Sequence, residues 1–335
     1  MSASTTGAAP ASQRHTPVLL ARCLDLMAPA IEEAAASGAT PVLIDCTLGM
    51  GGHSEGALER FETLRVIGID RDPQAIALAS QRLAPFGDRF TAVQTTYDHI
   101  DEVVAQHSPS GKADAILMDL GVSSFQLDEV ERGFSYSADA PLDMRMDPTS
   151  GISAAQLLAS APEEEIARIL RVYGEERFAS RIARRIVERR DTEPLSRTGQ
   201  LADIVRAAIP APARRSGGNP SKRTFQALRI AVNDELRILE DAIPAALRSL
   251  NTGGVLVVES YQSLEDRIVK EIFRAGSSID LPPGLPVIPE HMAPSLELLT
   301  RGARMADDAE ITHNPRSASV RLRGVRLVRE WKELS

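Results

Sequence analysis

Three short apolar runs in the first half of the chain each stop on an aspartate: Pro41-Val-Leu-Ile-Asp45, Leu64-Arg-Val-Ile-Gly-Ile-Asp70 and Ala113-Asp-Ala-Ile-Leu-Met-Asp119. Runs of this length are too short for free-standing helices and lack the strict alternation of a half-exposed strand. They read as strands buried on both faces, which occur in parallel sheets covered by helices. The first run leads into a glycine-rich turn, Cys46-Thr-Leu-Gly-Met-Gly-Gly-His53, and a helix is predicted over 53–61 with Ser54 as its N-cap. Asp72 and Pro73 open a second helix through 83, with proline where a first helical turn tolerates it. Phe90-Thr-Ala-Val-Gln94 is a further strand, and Tyr97 lies just past its end. This strand–helix rhythm predicts an α/β fold, a doubly wound Rossmann-like parallel sheet with helices on both faces. Ligands of such sheets lie outside the carboxyl ends of the strands, so Asp45, Asp70, Tyr97 and Asp119 map to one edge.

The rhythm then stops. Residues 154–209 are patterned as helices, 210–220 form a Pro/Gly/Arg-rich connection, and 224–250 read as one long helix. Gly253-Gly-Val-Leu-Val-Val-Glu259 is a fifth strand, 264–274 a helix, and 319–323 and 324–328 two late strands. The segment 276–313 reads as irregular. The pattern therefore predicts a tail at 1–13, a sheet domain made of 14–127 and 231–335, and an inserted helical domain at 128–230. The chain carries a net charge of −8, yet between Arg168 and Arg229 there are 15 Arg or Lys against 6 Asp or Glu. A basic block in an acidic chain is either a solvated helical face or a surface for a polyanion.

Composition narrows the class. Hydrophobic residues make up 43% of the chain and aromatics 4%, which allows a large core and favours helices over an all-β sandwich. Two cysteines are too few for a disulfide framework or a zinc cluster, so no metal is expected and both read as reduced buried thiols. No run approaches the roughly 20 apolar residues of a membrane helix, and the N-terminus lacks the basic start and apolar core of a signal peptide. A cytoplasmic location without membrane contact is the expectation.

A glycine-rich turn between strand and helix lets backbone approach a ligand closely. The dinucleotide fingerprint would require a third glycine at position 54, which is Ser54. Asp70, about 20 residues past the turn, suits a ribose. Asp45 suits the cationic methionine part of S-adenosylmethionine and would repel a pyrophosphate. Each residue also has a plainer reading. Asp70 and Asp119 could cap the following turns, Tyr97 could cover the sheet end, and His53 could be an ordinary helix-start residue. Around Leu120-Gly-Val-Ser-Ser-Phe-Gln126, where the methyl acceptor would lie, there is no cysteine. Methylation of a pyrimidine carbon usually needs a thiol nucleophile, whereas methylation of an exocyclic amine does not. Asp119, or a carbonyl beside it, could accept the amine's hydrogens in near-attack geometry. Asp119 as a ligand of the cofactor alone is the equal alternative.

Longer motifs then carry a resemblance. Asp119-Leu-Gly-Val-Ser-Ser-Phe-Gln-Leu-Asp128, Glu131-Arg-Gly-Phe-Ser135, Pro141-Leu-Asp-Met-Arg-Met-Asp147 and Tyr173-Gly-Glu-Glu-Arg177 resemble the bacterial small-subunit (16S) ribosomal RNA cytosine-N4 methyltransferases, RsmH or MraW. So do His15-Thr-Pro-Val18, Gly49-Met-Gly-Gly-His53, Ile69-Asp-Arg-Asp-Pro-Gln-Ala75, Arg223-Thr-Phe-Gln-Ala227 and Ser263-Leu-Glu-Asp-Arg267. The likeness runs from about His15 to Arg323. It implies a class I methyltransferase sheet, S-adenosylmethionine as cofactor, and a cytosine of the 16S decoding region, presented by the small subunit, as substrate. It places cofactor contacts on Gly51, Gly52, His53, Asp70, Tyr97, Asp119 and Gln126. Tyr97 stands where the family usually has Phe, which keeps the stacking face. Tyr261 and Gln262 stand where many relatives have Phe and His, so a general base at 262 is in doubt. The inserted domain becomes an RNA-recognition unit, with Arg181, Arg184 and Arg185 on adjacent turns toward phosphates and Asp143 and Arg145 toward a flipped base. A homodimer is left open.

Two other functions leave different marks on a sequence. A DNA amine methyltransferase typically carries Pro-Pro-aromatic after the fourth-strand acid, where this chain has Leu120-Gly-Val-Ser-Ser124. An assembly factor without catalysis would not need the acids on the sheet edge.

Overall fold

Five parallel strands form the larger part of one sheet: β1 (Val42–Asp45), β2 (Arg65–Asp70), β3 (Phe90–Gln94), β4 (Ala113–Asp119) and β5 (Leu250–Ser260). Two more, β6 (Leu296–Leu298) and β7 (Arg321–Leu327), complete the order β3-β2-β1-β4-β5-β7-β6, with β7 antiparallel to both neighbours. This is a doubly wound, Rossmann-like sheet, as the strand–helix rhythm predicts. The structure is a computed structural model that describes residues 17–214, 219–278 and 293–331. The tail at 1–13, the start of the His15–Val18 motif and residues 279–292 of the irregular segment lie outside the described residues.

The alternation of side chains along a strand explains why the strands read as continuous apolar runs. Ile44, Ile67, Ile116, Met118, Leu256 and Val258 enter one core. Leu43, Val66, Ala115, Leu117, Val255 and Val257 enter another. Helices α1 (Leu20–Ala36), α2 (Gly52–Arg60) and α3 (Pro73–Leu83) supply residues to the second core. Helix α4 (Ile100–His107) supplies the first. Both faces of the sheet are thus buried by helices.

The chain divides into two units, one running to Gly121 and resuming at Ile238, the other spanning Val122–Arg237. The second unit is wider at both ends than the 128–230 read from sequence. It holds α5 (Ser124–Asp128), α6 (Ala154–Ser160), α7 (Glu163–Val172), α8 (Ala179–Arg190), α9 (Thr198–Ala208), α10 (Ala211–Arg214) and α11 (Lys222–Asn233). Its own apolar core includes Leu158, Ile166, Leu170, Ile182, Ile186, Leu201, Val205 and Phe225. Helix α12 (Glu235–Ser249) crosses the boundary, and α13 (Ser263–Ser277) and α14 (Asp308–His313) belong to the first unit.

Four local readings need correction. The helix predicted at 224–250 is two helices, because Asp234 adopts a left-handed φ of 54° and ends α11. Helical periodicity persists across such a single-residue break, so the pattern alone does not register it. The two late strands are the single strand β7. The 276–313 segment contains β6 and α14, whose shortness hides them from periodicity. Finally, α2 starts at Gly52 with Gly51 as N-cap, so Ser54 lies inside the helix.

Candidate active site

The turn after β1 is built by hydrogen bonds from its neighbours. Leu48 N–H donates to the Ile69 carbonyl at 2.9 Å, and Gly49 N–H to Asp70 Oδ2 at 2.8 Å. The Asp119 amide donates to Thr47 Oγ1 at 2.7 Å. The turn is thereby tied to the ends of β2 and β4. Gly51 has a φ of 79°, where a side chain would strain the backbone. A Cβ on Gly52 would stand 2.6 Å from Pro17 Cγ. Glycine at both positions therefore keeps the backbone bare at the strand edge.

Parallel register brings Asp45, Asp70 and Asp119 to that edge, and it adds Glu259, which pairs with Asp119 across β4 and β5. The four acids are used differently. Asp45 is 1% exposed, and its oxygens accept from Thr47 N–H at 3.2 Å and from Ser54 Oγ at 2.7 Å. Asp45, expected to face a cationic ligand, instead spends its hydrogen bonds on the turn and on α2, and Ser54 bonds to Asp45 rather than capping the helix. Asp70 accepts from Gly49 and from Asp72 N–H at 2.9 Å, while Asp72 caps α3. Burial pushes Asp70 up to about 6, against those two bonds.

Asp119 is the best-equipped group. Its side chain is 23% exposed. Oδ1 accepts from Tyr261 Oη at 2.8 Å, and Oδ2 faces His53 Nδ1 at 3.8 Å. Burial raises Asp119, and His53 and the Tyr261 hydroxyl pull it back down. His53 is buried at the second position of α2, its Nε2 3.0 Å from the Val18 carbonyl and 3.5 Å from Glu259 Oε2. The edge therefore presents several carboxylates and one imidazole, a field that suits a cationic ligand and opposes a phosphate. Tyr97 is half-buried in a short turn beyond β3 and packs against the core.

Cys23, His53 and Glu259 place their donor atoms within 4.8 Å of one another, the one such grouping among the described residues. Burial pushes the Cys23 thiol well up and also raises Glu259, where the Asp119 charge adds to the effect. A thiol and a carboxyl that burial biases toward their protonated forms, with a ring nitrogen 3.0 Å from the Val18 carbonyl, are poorly prepared for a metal. Both cysteines are free and buried.

In the second unit, Gln126 is the third residue of α5 and closes a capping box with Ser123. Asp143 and Arg145 pair with each other, Nε to Oδ1 and Nη2 to Oδ2, both at 2.8 Å. Their turn is anchored by buried Asn233, which accepts from Met146 N–H at 2.7 Å and donates to the Met144 carbonyl at 2.8 Å. Met144 has a φ of 63°, so the turn is held in a conformation that costs free energy. Arg181, Arg184 and Arg185 lie exposed on α8, opposite Ile182, Ala183 and Ile186. Arg184 stands 3.8 Å from Glu163 and Arg185 3.6 Å from Glu188, exposed pairs that a stronger anion can replace.

The sequence reading missed Glu259, Cys23 and the role of Tyr261. A signal existed for Glu259, since the fifth apolar run also ends on an acid. Nothing marked Cys23, which α1 brings to the edge from outside the assigned elements. Gln262 belongs to the start of α13, where its Nε2 donates to Glu265 Oε1 at 2.8 Å.

No helix among the described residues is long and apolar enough to cross a membrane. The chain matches the MraW methylase family over residues 12–328. It is 58% identical over 325 residues to the ribosomal RNA small subunit methyltransferase H of Beutenbergia cavernae, covering 97% of this chain and 96% of that one. The protein of the same name from Streptomyces avermitilis is 53% identical, with 96% and 99% covered. That from Mycolicibacterium smegmatis is 56% identical, with 94% and 84% covered.

Proposed function

The chain belongs to the MraW methylase family, and from that premise we propose that it methylates the exocyclic N4 amine of a cytosine in the decoding region of 16S rRNA, using S-adenosylmethionine. It is a ribosomal RNA methyltransferase, with the small ribosomal subunit as its macromolecular partner. A homodimer is the second assembly to be tested, by light scattering. The observation that carries the reading is the acid-lined strand edge. There a glycine turn lies bonded to Asp70 beside Asp119, whose Oδ1 accepts from Tyr261 and whose Oδ2 stands 3.8 Å from His53 Nδ1.

The residues fit the cofactor by charge and shape. Gly51 and Gly52 leave backbone bare, Asp70 suits ribose hydroxyls, and the acids suit a cation. His53, Tyr97 and Gln126 complete the proposed set, Gln126 on the resemblance alone. When bound, S-adenosylmethionine supplies a methyl carbon made electrophilic by its sulfonium. Asp119 accepts an N–H of the cytosine amine, which turns the lone pair out of ring conjugation toward that carbon. As the N–C bond forms, the S–C bond to the sulfonium would break with its electron pair staying on sulfur as a neutral thioether, the nitrogen would become positive, and Asp119 would receive its proton. No thiol is needed, in keeping with Cys23 and Cys46 both being buried and raised.

The second unit is proposed as the RNA-recognition unit. Arg181, Arg184 and Arg185 would hold phosphates, and the Asp143–Arg145 turn would hold the flipped base. Unchanged turnover in Asp143→Ala and Arg145→Ala would remove that turn from the proposal. Incubation with methyl-labelled cofactor tests the whole. Label on cytosine N4 in small subunits, and not in naked rRNA or DNA, is the expected result. Label in DNA, or no transfer to any of the three, overturns it.

A further inference from the structure

We propose that Tyr261 is a positioning residue for methyl transfer: its hydroxyl orients the Asp119 carboxylate so that Oδ2 is the oxygen that meets the acceptor amine. This rests on the rRNA amine-methyltransferase reading above. A buried carboxylate with no fixed donor would be free to rotate and to take up a proton. Tyr261 Oη donates to Oδ1 at 2.8 Å and so assigns the two oxygens different tasks.

Tyr261 is itself held in place. Its backbone N–H donates to Glu265 Oε2 at 3.0 Å, and Glu265 is 3% exposed. Its ring packs beside the core, with Cδ2 3.7 Å from where a Cβ on Gly121 would be. Burial raises the phenol well above its ordinary value, with the Asp119 charge contributing, so the hydroxyl stays a donor throughout the working pH range. The other titratable groups facing Asp119 are His53 on α2, Glu259 on β5, Asp45 on β1 and Cys23 on α1. Glu259 in turn faces Glu310 on α14. Glu259 also lies within hydrogen-bonding reach of the Asp119 carboxylate, and the donor resting on Oδ1 is the Tyr261 phenol at 2.8 Å.

The sign of the effect follows. Methyl transfer needs Asp119 ionised, and a donated hydrogen bond favours the ionised form. Its loss moves the acid limb of the kcat–pH profile upward.

The test compares the parent, Tyr261→Phe, and protein carrying 3,5-difluorotyrosine at 261, a shape-preserving, stronger donor that keeps the fold if the Phe variant does not. Methylation of small subunits is followed from pH 5 to 9. In Tyr261→Phe the acid limb should rise by about one pH unit, giving about a tenfold lower kcat on the acid side. The alkaline plateau should fall as well, because an ionised but unoriented carboxylate no longer presents Oδ2, while KM for subunits should not change. Difluorotyrosine should move the limb the opposite way. A limb that stays put in both proteins, or an equal loss at every pH, overturns the proposal. A parent that transfers no methyl group at any pH condemns the methyltransferase reading instead.

Discussion

The strand edge of the first unit and the α8 surface of the second are opposites in how they hold charge. At the edge, Asp45 and Glu259 are buried and Asp119 is half-buried, all three are raised, and each is bound into neighbouring groups. On α8, Arg181, Arg184 and Arg185 are exposed, and the acids near two of them form loose pairs. Fixed charge in a desolvated setting acts over short range with defined geometry, which suits a chemical step. Solvated charge acts through number and ionic strength, which suits holding a polyanion. The difference predicts that changes at the edge alter turnover and its pH dependence, while changes on α8 alter substrate binding and its salt dependence.

The largest expected effect is at Asp119. Asp119→Ala should lower kcat by about 10² to 10⁴, the range of a positioned acid–base group, with the KM for subunits little changed. Loss confined to cofactor affinity, read by calorimetry, would make Asp119 a cofactor ligand only and blunt the contrast. Next comes the triple change Arg181→Gln, Arg184→Gln, Arg185→Gln. Three lost phosphate contacts should flatten the plot of log affinity against log salt by about 2 to 3, with kcat on saturating subunits unchanged. A fall in kcat with an unaltered salt slope would break the comparison. The smallest effect concerns Asp70, raised to about 6 by burial. Its proton is taken up as pH falls through that value, so S-adenosylmethionine affinity should weaken by up to about tenfold per unit below pH 6. Asp70→Asn should flatten that dependence in calorimetric titrations. A parent affinity that is constant from pH 5 to 7 would remove Asp70 from the cofactor set.

Much of the sheet was legible because strands buried on both faces must be apolar at nearly every position, and all the parallel runs but that of β3 stopped on an acid. Helices α1 and α4 went unassigned, since neither has a side-chain N-cap to mark its start, although Gly38 and Pro109 follow their ends. The break at Asp234 was invisible because one left-handed residue leaves the periodic pattern intact on both sides. The turn around Gly51 was recognised, yet its cap was assigned to Ser54. The preference of serine for helix starts is a local rule, while the partner it takes, Asp45, is fixed by the strand before it.

By itself the sequence determined the class of sheet, the edge on which acids collect, the absence of a poised thiol, and a basic stretch in an acidic chain. Those features depend on residue type and spacing along one element. What only the tertiary structure decided is which acids are spent and which face outward. Asp45 is consumed by Thr47 and Ser54. Asp119 is oriented by Tyr261, a residue 142 positions away. Glu259 and Cys23 join the edge from β5 and α1. Hydrogen-bond partners of buried carboxylates are chosen by packing across strands and helices distant in sequence, and desolvation by that same packing sets their charge.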